Sequence, residues 1–73
     1  MKLTSYISRS GKKSGVTGYY SDREFIIVRF TNGKLYTYSY NSAGQETVED
    51  MKLLALEQEG LSTYIAKNNP LFE

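Results

Sequence analysis

Asn32 and Gly33 stand between two runs rich in β-branched and aromatic residues, Phe25 to Phe30 and Lys34 to Tyr40. An Asn-Gly pair flanked in this way is the strongest short-range hairpin signal a sequence carries. Two registers are open. A two-residue turn pairs Phe30 with Leu35 and sends Tyr36, Tyr38 and Tyr40 to the face opposite Ile26, Val28 and Phe30. A three-residue loop from Thr31 to Gly33 pairs Phe30 with Lys34, and that one-residue slip exchanges the faces of the second strand. We favour the three-residue loop. Gly33 supplies the left-handed residue it needs, and all six large side chains then share the face that a helix can cover.

Length bounds the rest. A 73-residue chain is one domain, and it buries only about 60% of the surface exposed when unfolded. It contains no cysteine and no histidine. Disulfides, thiolate or imidazole zinc sites and histidine acid–base chemistry are therefore excluded, leaving carboxylate-bound magnesium or calcium as the open metal chemistry. No cofactor is implied. No apolar run reaches the ~18 residues of a membrane span, and Met1-Lys2-Leu3-Thr4 opens no hydrophobic signal segment. The expectation is a cytoplasmic protein with no membrane association.

The net charge of +1 hides an uneven distribution. Residues 1–40 carry seven cations against two carboxylates, and residues 41–73 carry two cations against six carboxylates. A basic sheet half and an acidic helical half suit an anionic ligand at the sheet, or head-to-tail association of subunits. Ordinary solubility charge, with acidic residues at a helix N-terminus, explains the same pattern without a ligand.

Along the chain, Lys2 to Ser8 alternates as a short edge strand or an extended arm. Arg9 to Gly15, with two glycines, two serines and three cations, reads as a flexible loop. Gly11-Lys12-Lys13-Ser14 lacks the upstream glycine of a P-loop, so a solvated loop is the simpler account. Val16 to Tyr20 reads as a strand with Val16, Gly18 and Tyr20 on one face and Thr17 and Tyr19 on the other. Gly18 within it signals a bulge or a close backbone approach. Ser21-Asp22-Arg23 forms a turn. A helix follows from the capping-box spacing of Ser42 and Gln45. Its apolar stripe is Val48, Met51, Leu54 and Ala55, widened by Leu53 and Leu56, with Gly60 as terminator. Leu61 to Asn68 forms a second helix with Leu61, Tyr64 and Ile65 inward, stopped at Asn68-Asn69-Pro70. Leu71 and Phe72 either fold back onto the core or stand free. The fold class is α+β: an antiparallel meander of three or four strands, packed on one face by two C-terminal helices.

Val16-Thr17-Gly18-Tyr19, the strand ending in Phe30, the Asn-Gly turn and Tyr36-Thr37-Tyr38 together resemble the KTSC domain. This is a module of about 60 residues named for the C-terminus of some lysyl-tRNA synthetases and found alone in small bacterial and phage proteins. Gly60 to Asn68 is similar to the closing helix of that family, and the resemblance runs from about Ile7 to Asn69. The loop from Ser10 to Gly15 is longer than usual, and Asn69-Pro-Leu-Phe-Glu73 stands where the family has a basic, aromatic tail. The family has no firmly assigned activity. Its synthetase context implies RNA binding, and the missing tail weakens that implication here.

Two sets of residues carry the functional expectation. For RNA or a nucleotide, Arg9, Lys12, Lys13 and Arg29 would meet phosphate while Tyr6, Tyr19 or Tyr40 stacks a base. For a protein partner or a homo-oligomer, Phe25, Ile27 and Leu35 form an apolar patch beside Arg29 and Thr37, on the face away from the helices. An example would be a phage or accessory protein that acts on a host partner or sequesters a small ligand between subunits. The N-terminal arm, through Leu3 and Ile7, could cover that patch instead. Tyr36, Tyr38 and Tyr40 are expected to pack under the helix rather than to stack bases, with Tyr40 keeping an accessible hydroxyl. Catalysis is not expected, because no histidine activates a serine and Glu46, Glu49 and Asp50 are accounted for by a helix N-terminus.

Overall fold

The computed structural model describes residues 2–9, 11 and 14–73. The hairpin takes the three-residue loop. Phe30 N–H donates to the Lys34 carbonyl at 3.0 Å, and Gly33 N–H donates to the Phe30 carbonyl at 2.9 Å. Gly33 lies at φ 83°, where a side chain would be strained. Strands β3 (Phe25–Phe30) and β4 (Leu35–Ser39) consequently pair Val28 with Tyr36 and Ile26 with Tyr38. Phe30 and Tyr36 are on the same side, with ring centroids 5.3 Å apart.

Strands β1 (Thr4–Ser5) and β2 (Val16–Ser21) complete a four-stranded antiparallel sheet in the order β1-β2-β3-β4. The β2–β3 register shifts between Val16 and Gly18. The strict alternation expected for β2 therefore fails. Val16 lies opposite Phe30 and Tyr19 opposite Val28, while Gly18 and Tyr20 lie opposite Arg29 and Ile27. Val16 and Tyr19 thus face the core, and Tyr20 joins the outer face. Thr17 is the extra residue of a bulge, and Gly18 permits the close approach. A Cβ there would stand 3.0 Å from Arg29 Nη2 and 3.3 Å from the Thr4 carbonyl oxygen.

After β4 the chain turns directly into a one-turn helix, α1 (Tyr40–Ala43). The capping box forms one turn earlier than expected. Ser39 Oγ accepts from Ser42 N–H and Ser42 Oγ accepts from Ser39 N–H, so Ser42 closes the box rather than opening one with Gln45. Helix α2 (Gln45–Glu57) starts at Gly44 without a side-chain cap. It ends at Gln58, which takes the left-handed conformation assigned to Gly60 on sequence grounds. Gly60 is also left-handed, but it opens α3 (Leu61–Asn68).

The core lies between the sheet and the helices. Tyr6, Val16, Ile26, Val28, Tyr38, Val48, Met51, Ala55 and Leu61 are buried, with Phe30, Tyr36, Leu54, Tyr64 and Ile65 packed around them. Each large aliphatic side chain sequestered this way stabilises the fold by roughly 1.5–3 kcal/mol. Leu53 and Leu56 do not widen the buried stripe, being 60% and 74% exposed, because they lie on the side of α2 turned from the sheet. No helix among the described residues is long and apolar enough to cross a membrane.

Candidate binding surface

Cross-strand pairing lays out the outer face row by row. Ser5, Gly18, Arg29 and Leu35 form one row, Tyr20, Ile27 and Thr37 the next, and Phe25 and Ser39 the last. Phe25, Ile27 and Leu35, the apolar patch expected from sequence, therefore share one face. Tyr20 is added to them, its ring centroid 6.2 Å from that of Phe25. Sequence reasoning missed Tyr20 because alternation through Gly18 placed it with Val16; the glycine itself was the available clue.

Arg29 is anchored in the row of this face nearest the Gly33 turn. Its Nε donates to Thr17 Oγ1 at 3.0 Å and its Nη2 to the Thr17 carbonyl at 3.3 Å, while Thr17 Oγ1 donates to the Arg29 carbonyl at 3.3 Å. The bulge thus holds the guanidinium flat over Gly18, leaving a partly exposed cation among apolar groups. The N-terminal arm does not lie across the patch. It pairs edgewise with β2, and Ile7 stays 71% exposed. Leu35 is 48% exposed, while Tyr20, Phe25 and Ile27 are half-buried.

The residues expected to hold RNA or a nucleotide do not converge. Tyr6 is buried at 4% exposure, with its hydroxyl accepting from Leu61 N–H at 3.2 Å, so it is not available to stack a base. Tyr19 is half-buried on the inner face against the core, with the sheet between it and Arg29. Arg9 is exposed, and its N–H donates to the Gln58 carbonyl at 2.9 Å. Tyr40 donates its hydroxyl to Glu49 at 2.6 Å. Positions 49 and 58 of α2 stand about 13 Å apart along the helix, so Arg9 and Tyr40 belong to different ends of the molecule. Lys12 and Lys13 lie outside the described residues.

The Tyr40 cluster is a closed network. Lys52 Nζ donates to Glu49 at 3.0 Å and to the Arg23 carbonyl at 2.8 Å, and it lies 5.7 Å from the Tyr40 ring centroid. The hydrogen bond to Glu49 raises the Tyr40 pKa, with smaller contributions from burial and from the nearby Glu49 and Glu24 charges. The same bond, together with Lys52, lowers that of Glu49. Tyr38 is raised by burial first and by Tyr36 second. Each shift has a local structural cause that accounts for it. Among the described residues, no three acidic side chains gather where a metal ion could be held.

No family model, curated protein or solved structure matches this chain.

Proposed function

We propose that this chain is a small non-catalytic binding domain that recognises a protein surface through the outer face of its sheet. One observation carries the reading: Tyr20, Phe25, Ile27 and Leu35 share the outer face in successive rows, with the anchored guanidinium of Arg29 in the row of Leu35 at one end. Contiguous apolar surface rimmed by polar groups marks interaction sites on small proteins, and aromatic residues with arginine are the types enriched at interface centres. A homo-oligomer and a heterologous protein partner both fit this chemistry. Sedimentation velocity across a hundredfold concentration range, combined with affinity capture from native lysate, tests the proposal. Ile27→Lys should abolish whichever association is seen. Association that survives Ile27→Lys places the contact elsewhere.

A second reading has its own support. Tyr20 and Phe25 lie side by side, one and two rows along the sheet from Arg29, and the ring pair resembles the stacking platforms used for single-stranded nucleic acid, where each base contributes roughly 1–3 kcal/mol. On this reading Tyr20 and Phe25 stack bases in place of Tyr6, Tyr19 and Tyr40, and the KTSC resemblance adds to it. Titration of a labelled single-stranded RNA at low and moderate salt separates the two: affinity that falls with salt and with Tyr20→Ala favours RNA.

A further inference from the structure

Strand β4 forms one margin of the sheet. Because Phe30 N–H bonds the Lys34 carbonyl, the alternation of an antiparallel ladder turns the backbone groups of Lys34, Tyr36 and Tyr38 toward β3. Those of Leu35, Thr37 and Ser39 turn outward. An outward row of this kind is a template for another extended segment.

The end of the chain occupies part of that row. Glu73 N–H donates to the Thr37 carbonyl at 2.8 Å, and Ser39 Oγ donates to the Glu73 carboxylate. Phe72 stacks on Tyr36 with centroids 4.6 Å apart and planes at 29°, and it meets Tyr38 edge-on at 6.2 Å. Phe30 also contacts Tyr36, its ring tilted at 57° to that of the tyrosine. The seat therefore has three parts: a backbone acceptor, an aromatic shelf and a hydroxyl for a carboxylate. Its occupant stays accessible to solvent. Phe72 remains 54% exposed and Leu71 71% exposed. The segment leaves α3 through Asn69, a non-glycine residue at φ 44°, and through Pro70, which offers no amide to bond.

We infer that the β4 margin is a docking site for an extended peptide segment of a partner protein, one that carries an aromatic residue followed by an acidic residue. Phe72 and Glu73 are the intramolecular stand-in that such a segment displaces. Recognition is strand addition, with main-chain hydrogen bonds supplying affinity and the Tyr36–Tyr38 shelf and Ser39 supplying specificity. This site is separate from the outer face, since Tyr36 and Tyr38 lie on the inner side of the sheet.

The test uses the full chain carrying Phe72→Ala and Glu73→Lys, which vacates the seat, and a capped peptide with the sequence of residues 69–73. Amide NMR should show saturable shifts at Tyr36, Thr37 and Tyr38. The unaltered chain should bind the peptide at least about tenfold more weakly, because its own tail competes at high effective concentration. Peptides with alanine for phenylalanine, or lysine for glutamate, should lose binding by a similar factor. Three results would overturn the inference: no saturable shift, equal binding of a scrambled peptide, or Tyr36 and Tyr38 ring resonances that do not change on Phe72→Ala. A concentration-dependent dimer of the unaltered chain that Phe72→Ala abolishes would replace the partner segment with the tail of a second copy. Unchanged amide resonances at Val48 and Met51 confirm the fold of the double variant; if it does not fold, Phe72→Ala alone supplies the same comparison.

Discussion

The Tyr6 hydroxyl accepts the N–H of Leu61 at 3.2 Å across 55 positions of sequence. Helix α3 begins at Gly60, which has no side chain to cap it, so a tyrosine from the N-terminal arm satisfies the first amide of the helix instead. Leu61 is fully buried, and water is not available to substitute. Tyr6→Phe should therefore lower unfolding free energy by about 1–3 kcal/mol, the cost of an unmet buried donor. Urea denaturation reads this directly. An unchanged midpoint would mean that the hydroxyl contributes no net stability.

Ile26 and Ile27 are adjacent in sequence and opposite in consequence. Ile26 is fully buried across from Tyr38, so Ile26→Ala should cost about 2–5 kcal/mol. Ile27 lies on the outer face, and Ile27→Lys should shift stability by no more than about 1 kcal/mol while removing partner association. Equal destabilisation by the two changes would contradict the assignment of faces.

Gly18 and Gly33 should respond differently to alanine. At Gly33 only the backbone angle is strained, since no atom lies within 4 Å of the added Cβ; the cost should be about 1–2 kcal/mol. At Gly18 the Cβ meets both the Arg29 guanidinium and the Thr4 carbonyl. Arg29 can swing aside, but the Thr4 carbonyl is backbone and can give way only by shifting β1 by a few tenths of an ångström. Gly18→Ala should therefore speed amide exchange along residues 4–6, with the effect persisting in an Arg29→Ala background. Gly33→Ala should leave that exchange unchanged.

Stability should fall at both ends of the pH scale through the Tyr40–Glu49–Lys52 network. The folded pKa of Glu49 is lowered. Its contribution is full above the ordinary carboxylate value of ~4.3 and is lost as pH drops through the depressed one. Tyr40 is raised. Its contribution is full below the ordinary phenol value of ~10 and is lost as pH climbs through the elevated one. Glu49→Gln should flatten the acid limb and shrink the alkaline one, as measured by thermal melts across pH; curves that superimpose on the unaltered chain would discount the network.

Much of the fold was legible in the chain because it rests on local geometry. Asn32-Gly33 marks the reversal, and the three-residue loop is the register that gathers the bulky side chains on one face. The end of α3 followed from Asn68-Asn69-Pro70 in the same way. The candidate surface was legible in part: Phe25, Ile27 and Leu35 share a face once β3 and β4 are in register, whereas Tyr20 was lost to the bulge at Thr17.

The sequence by itself determined the sheet's reversal at Gly33, the helical half and the absence of imidazole and thiol chemistry. Each depends on backbone preference or on which functional groups exist at all. Tertiary structure alone decided that Tyr6 caps a helix, that Tyr19 and Arg29 are divided by the sheet, and that Phe72 rests on Tyr36. Those contacts join residues far apart along the chain, and nothing in local propensity specifies which distant partner a side chain will meet once the core closes.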